Sequence, residues 1–421
     1  MNAKWRVRLV LAALLGGASP WAACEMAQEP LLNRLNSVAP NLVLILDTSG
    51  SMDTRSIYEH GNPSDLGPTG PGSTWGANSP DMNKLHYDPR VRYYPRVAYD
   101  GTPLAEDLPS ATGSTHNRWD VYFRINPGQA YGASGDSIGN YYNPYEPHVV
   151  APASVVPGST WPYPPNIDVR TMNNATVRLP KFVSRTDCVT HANACTPHEE
   201  RANYMRWRKW YQDRAKMAET AIGFALQPVM ADSIRLGWGT IWQLYNSSTL
   251  SSGVSSFSDL SGGGKQRFFD WLYSRTYANG TPNKWAVASA GNYFLRRDSD
   301  GPWATTPNPA SVTVGTLAGT PTGPGASEPQ LNHASCRRSF SLLITDGYWN
   351  SGGPSNVNNF DDTTISILPD VAPAYTQPAA APFRDGSSNT LADIAMYYWG
   401  TDLRPDLPNR VPTVQTAAGL N

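Results

Sequence analysis

Asn41-Leu42-Val43-Leu44-Ile45-Leu46-Asp47-Thr48-Ser49-Gly50-Ser51-Met52 contains the two features on which the fold turns. Its first half is a continuous apolar run without alternation, the pattern of a strand buried on both faces of a parallel sheet. Its second half breaks into a carboxylate and two serines at alternate positions. Asp47, Ser49 and Ser51 can therefore aim one way while Thr48 and Gly50 make the bend. Open α/β sheets bind ligands beyond the carboxyl ends of their strands, and these three hard oxygen donors lie there.

Toward the N-terminus, Lys4, Arg6 and Arg8 precede an apolar run from Leu9 to Leu15 and small residues up to Ala22-Ala23. This is the plan of an export signal over residues 1–23, with a run too short to span a bilayer. Trp21 stands where a lipoprotein signal wants a leucine-like residue, which argues against lipidation of Cys24. Export implies an oxidising compartment, where Cys188 and Cys195 are a candidate disulfide closing a short loop. Cys24 and Cys336 are left to pair or stay free. Even with His191 and His198, the cysteine spacing matches no compact two-plus-two zinc pattern.

Downstream of Met52, residues 53–198 show almost no helical period. They carry Tyr87-Asp88-Pro89, Tyr93-Tyr94-Pro95, Tyr141-Tyr142-Asn143-Pro144 and Tyr163-Pro164-Pro165. A structureless loop of that length is abnormal inside a domain, and the aromatic density argues against disorder. The segment reads as an inserted, aromatic- and proline-rich subdomain with short strands. Regular periodicity returns as a helix at about 199–228, its stripe formed by Trp207, Trp210, Tyr211, Ala218, Ala221, Ile222 and Ala225. A strand over 234–242 follows, then helices at about 265–275 and 284–296 separated by the turn Asn279-Gly280-Thr281-Pro282. A second buried strand over 338–345 ends in Asp346-Gly347, and a last helix covers about 389–399. This order implies a doubly wound α/β sheet. Its parts are the signal (1–23), the first strand and loop (24–52), the insertion (53–198) and the remainder of the sheet domain (199–421).

Composition narrows the function. The hydrophobic fraction of 40% suffices for one sizeable core in 421 residues, and a net charge of −1 without any basic block argues against nucleic acid as the main partner. The 35 glycines, 37 prolines and 21 tyrosines point to long ordered loops rather than a compact cytosolic enzyme. There is no Gly-x-Ser-x-Gly nucleophile turn. Asp47-Thr48-Ser49 and Asp346-Gly347 also lack the Asp-Thr/Ser-Gly order of pepsin-like proteases. The chain reads as a binding protein, not an enzyme.

Asp346 falls just past the second apolar strand, and Thr281 sits on a turn that can face the same crevice. Two carboxylates and three hydroxyls suit a small hard cation, Mg²⁺ or Mn²⁺, with Ca²⁺ as an alternative. Each residue also has a plainer reading: Asp47, Ser49, Ser51 and Thr281 as helix caps, and Asp346-Gly347 as a turn.

Taken in order, Asp47-x-Ser49-x-Ser51, Gly280-Thr281-Pro282 and Thr345-Asp346-Gly347 resemble the metal-ion-dependent adhesion site of the von Willebrand factor A family. The resemblance implies Ser49, Ser51 and Thr281 as hydroxyl ligands, with Asp47 and Asp346 acting directly or through water. It also implies one coordination position open to an acidic group on a partner. A narrower resemblance covers much of the chain. Tyr87-Asp88-Pro89, Tyr93-Tyr94-Pro95, Asp100-Gly101-Thr102, Cys336-Arg337-Arg338-Ser339-Phe340 and Thr345-Asp346-Gly347-Tyr348-Trp349-Asn350 are similar to the PilY family. So are Asp393-Ile394-Ala395-Met396-Tyr397-Tyr398-Trp399 and Thr401-Asp402-Leu403-Arg404-Pro405.

That family comprises type IV pilus assembly and tip-associated adhesin proteins. It implies a pilus biogenesis and adhesion module of the periplasm, outer surface or pilus tip. Its expected partners are pilus components such as minor pilins, and a host or surface ligand bearing an acidic group. A purely structural pilus-secretion component with a vestigial metal site is the alternative. Members usually add a C-terminal β-propeller, of which no blade repeat is seen here. The sequence stops before the last strands of a complete A-type domain, so the sheet is expected to be incomplete at its C-terminal end.

Overall fold

The computed structural model describes residues 38–57, 79–81, 83–106, 123–124, 141–142, 178–298, 300–304, 309–314, 335, 337–347, 349–355, 357–367, 375–409 and 411. The export signal, Cys24, Cys336 and most of the 53–198 segment, including 143–144 and 163–165, lie outside the described residues.

The apolar run forms strand β1 at Asn41–Leu46. It is joined by β2 at Arg235–Thr240, β3 at Ser252–Ser256 and β4 at Ser339–Ile344, in the order β4-β1-β2-β3. β1 runs parallel to both neighbours, with Leu46 opposite Ile344 on one side and Thr240 on the other; β3 is antiparallel to β2. The chain therefore builds a mixed α/β structure around a sheet with a parallel centre. Because β1 and β4 end in register, Asp47 and Thr345 leave the sheet side by side.

Among the described residues, six helices accompany the sheet: α1 (Pro197–Trp210), α2 (Arg214–Leu226), α3 (Ile241–Asn246), α4 (Gly264–Leu272), α5 (Asn283–Phe294) and α6 (Leu391–Gly400). Successive strand side chains alternate between faces, and β1 uses both. Val43 and Ile45 pack with Ile241, Leu244, Ala286, Ala290 and Tyr293 of α3 and α5. Leu44 and Leu46 pack with Ile222 of α2 and Phe268, Phe269 and Leu272 of α4. With helices on both faces, truncating any of these four β1 side chains to alanine would cost roughly 2–5 kcal/mol. That rigid centre positions the loop that follows.

Three expectations are corrected. The single helix over 199–228 is two. Tyr211 ends α1, and Asp213 adopts an extended backbone and accepts from Lys216 N–H at 2.8 Å to start α2. An aspartate whose carboxylate satisfies a free helical N–H makes a new start cheaper than continuation. Ile241 and Trp242, read as the end of a strand, instead open α3, because the Thr240 hydroxyl accepts from Gln243 N–H at 3.1 Å. The strand over 338–345 is not buried. Phe340 and Leu342 are 41% and 45% exposed, since β4 lies at the edge of the sheet among the described residues.

Within 53–198, short two-residue strands pair at 123–124 with 141–142, and at 179–180 with 194–195. Cys188 and Cys195 form a disulfide. Tyr87 and Tyr93 fasten this region to α1. Buried Tyr87 donates from its hydroxyl to Glu200 Oε1 at 2.6 Å, and Tyr93 N–H donates to Asn203 Oδ1 at 2.8 Å. Trp207 Nε1–H donates to the Leu85 carbonyl at 2.8 Å. Among the described residues, no helix is long and apolar enough to cross a membrane.

Candidate metal site

All five candidate residues lie at one end of the sheet. Asp47 is fully buried, at 0% exposure. Its Oδ1 accepts from Ser49 N–H at 2.8 Å and its Oδ2 from the Thr345 hydroxyl at 2.6 Å. The carboxylate thus bends its own loop and ties it to the end of β4. Ser49 and Ser51 place their hydroxyl oxygens 2.9 Å apart. Ser49 stands at the cap position of a 3₁₀ turn, Gly50–Asp53, yet makes no side-chain capping bond. Its hydroxyl faces Ser51 instead, so capping does not explain these serines.

The Thr281 turn is drawn in by its backbone. Ala278 N–H donates to the Thr48 carbonyl at 3.0 Å, and Gly50 N–H to the Asn279 carbonyl at 3.2 Å. Thr281 N–H donates to Asn350 Oδ1 at 2.8 Å, joining this turn to the segment after Asp346. Thr281 caps nothing either: α5 starts at the cap position of Pro282 without a side-chain bond. Two residues on, Asn283 Nδ2 donates to the Thr345 hydroxyl oxygen at 3.1 Å. The loops 47–51, 279–283 and 345–350 are therefore connected to one another by hydrogen bonds.

Asp346 directly follows Thr345, and Gly347 turns the chain away with φ of +107°, a conformation open to glycine without steric cost. Asp346 Oδ2 accepts from Arg214 Nη1 at 2.6 Å, while Oδ1 is buried and has no hydrogen-bond partner among the described residues. Asn283 Oδ1 is buried and unpartnered in the same way. A buried carboxylate oxygen left unsatisfied is costly; a hard cation would relieve that cost, so the donor set fits the group the resemblance implies. Among the described residues, no group of three His, Cys, Asp or Glu side chains is placed to hold a metal ion. A cation here would have to draw on hydroxyls as well as carboxylates, as Ser49, Ser51 and Thr281 allow.

Sequence reading did not assign Thr345, Asn283, Asn350 or Arg214 to the site. Thr345 and Asn350 carried a signal, since they flank Asp346-Gly347 in the quoted motif. Arg214 carried none, because periodicity placed it inside one continuous helix.

No family model matches the chain, and no solved structure does. Relatives do. The chain is 29% identical over 420 residues to the type IV pilus biogenesis factor PilY1 of Pseudomonas aeruginosa strain PAK, covering 95% of this chain and 32% of that protein. Against the PilY1 of strain PAO1 it is 30% identical over 423 residues, with the same shares of 95% and 32%. Against that of strain UCBPP-PA14 it is 28% identical over 414 residues, covering 92% of this chain and 29% of the relative. The chain spans about a third of the length of the curated relatives it matches. Similarity that runs through nearly the whole chain supports one conclusion: this is a PilY-family protein.

Proposed function

We propose that this chain is a binding and assembly module of type IV pilus biogenesis whose von Willebrand factor A-like domain holds a divalent cation, Mg²⁺ or Mn²⁺. The pilus role is supported by what its relatives are named for. The cation reading is carried by one observation: three distant loops joined by their own hydrogen bonds beside a carboxylate with a buried, unsatisfied oxygen. The parallel centre of the sheet, flanked by helices, supports a doubly wound arrangement with the 53–198 segment inserted after the first loop.

In this reading Ser49, Ser51 and Thr281 offer hydroxyl oxygens and Asp346 a carboxylate oxygen. Asp47, with both oxygens already engaged, shapes the loop and acts through water. A bound cation supplies a positive centre with one coordination position open to an acidic group. The module would be exported and work in the periplasm, on the outer surface or at the pilus tip. Its partners would be pilus components such as minor pilins, and a host or surface ligand bearing a carboxylate. Titration calorimetry tests the site: wild type binds Mg²⁺ and Mn²⁺, Asp47→Ala loses binding, and Thr281→Ala weakens it only in part. Equal affinity in wild type and Asp47→Ala overturns the assignment.

A second reading, a purely structural pilus component with a vestigial site, is favoured by the guanidinium of Arg214 on Asp346. Normal piliation and adhesion in a strain carrying Asp346→Ala would leave that reading standing.

A further inference from the structure

We infer that Arg214 sets the cation affinity of this site by sharing the Asp346 carboxylate, so that its guanidinium opposes a cation for as long as it stays there. The inference rests on the cation reading above and adds a residue which that reading does not contain.

The ion pair is direct and shielded. Arg214 Nη1 lies 2.6 Å from Asp346 Oδ2, with the two side chains only 17% and 7% exposed. The arginine is also tethered to the loop it would regulate. Its Nε donates to the Ser56 carbonyl at 2.9 Å and its backbone N–H to the Thr54 carbonyl at 3.1 Å, just beyond Ser49 and Ser51.

Local forces do not account for that placement. Arg214 is the first residue of α2, where the helix dipole disfavours positive charge. Lys216, two residues on, takes the local solution and pairs with the capping Asp213 at 3.0 Å. Arg214 reaches across 132 residues of sequence to Asp346 instead.

The contact is also of a kind that can be exchanged. Elsewhere in the chain, Arg404 grips Asp406 with two nitrogens at 2.8 Å each, one on each oxygen. Arg214 holds Asp346 by one nitrogen and leaves Oδ1 without any hydrogen bond. Single-point pairing lacks the geometric lock of the bidentate fork. A guanidinium cannot shed its charge to make room for a cation. It stays a positive charge on Oδ2 while a cation draws on Oδ1, and the affinity of the site therefore contains the strength of this pair.

The test is calorimetric titration of the 421-residue chain with Mg²⁺ and with Mn²⁺, in wild type, Arg214→Gln, Arg214→Lys and Asp346→Asn, alongside thermal melts with and without cation. Arg214→Gln should bind both cations about tenfold to a hundredfold more tightly, the range expected for losing one charge-assisted competitor. Its melting temperature should fall below wild type without cation and rise further than wild type when cation is added. Arg214→Lys keeps the charge but loses the planar donor set, and should fall between the two. It carries the test if the glutamine variant fails to fold. Binding in Arg214→Gln but not in wild type would support the inference in its strongest form. Wild-type affinity in both arginine variants, with binding lost in Asp346→Asn, would overturn the role of Arg214 and leave the cation site standing. No cation-dependent heat or melting shift in wild type or either arginine variant would remove the cation site itself, and this inference with it.

Discussion

The hydroxyl of Thr345 donates to Asp47 Oδ2 at 2.6 Å, joining two residues 298 positions apart in the chain. The same oxygen accepts from Asn283 Nδ2 and from Gly347 N–H, each at 3.1 Å. One hydroxyl thus couples the ends of the adjacent parallel strands β1 and β4 to the start of α5.

Thr345→Val keeps the shape of the side chain and removes this junction. It leaves a buried carboxylate oxygen and a buried amide without partners, at a cost of roughly 2–3 kcal/mol. Urea unfolding should show that loss and, on the proposed cation reading, calorimetry a weaker affinity, while Thr345→Ser retains both. Wild-type stability in the valine variant would mean that the three loops are held by other contacts.

The buried cluster under α1 allows a second prediction. Arg185 is fully buried and pairs with both Glu200 and Asp187, while Tyr87 donates to Glu200. Burial first, and the Glu200 carboxylate next, push the Tyr87 hydroxyl well above the ordinary tyrosine range, so it remains a donor. Arg185→Met removes the guanidinium from both carboxylates and should destabilise by about 3–5 kcal/mol. Arg185→Met combined with Glu200→Leu should cost less than the sum of the single changes in a double-mutant cycle. Additive losses would show that the pair is not coupled.

The disulfide acts on the same helix. Cys188 and Cys195 close a loop whose last residue directly precedes Thr196, the cap of α1. Constraining a loop of this length in the unfolded chain contributes about 2–3 kcal/mol. Non-reducing peptide mapping should recover the linked pair, and Cys188→Ser with Cys195→Ser should lower the unfolding midpoint accordingly. Free alkylation of both thiols in protein purified without reductant would contradict the linkage.

Acid sensitivity should trace to Glu199. Its partial burial acts to raise its pKa, but bonds from Thr196 and Thr190, through backbone and hydroxyl, outweigh that and pull it from 4.5 to about 2. A carboxylate depressed on folding contributes stability that is present above its unfolded pKa and is lost as pH falls through its folded one. Wild type should therefore exceed Glu199→Gln in stability at neutral pH, and the gap should close between pH 4.5 and about 2. A gap that does not change over that window would show that the capping bonds do not depend on the charge.

Much of this architecture could be read from local pattern. An unbroken apolar run such as Leu42–Leu46 has few alternatives to a strand covered on both faces, and the hydroxyls and carboxylate after it follow from its end. The helices over 264–272, 283–294 and 391–400 were legible for the same reason, since a 3.6-residue period is written within a dozen residues. Strand Ser252–Ser256 was not, because only Val254 among its residues enters the core; its pairing with β2 makes it a strand.

The site divides along the same line. Asp47, Ser49, Ser51, Thr281 and Asp346 announce themselves by residue type and by position at strand ends and turns, properties that each segment carries within itself. That β1 and β4 end in register, that Asn283 and Asp47 share one hydroxyl, and that Arg214 reaches Asp346 depend on segments 60 to 300 residues apart being packed together. No local pattern encodes such partners. They are selected when the helices bury both faces of β1 and bring the loop ends into hydrogen-bonding distance, where a buried polar group must find whatever donor or acceptor the packing has placed beside it.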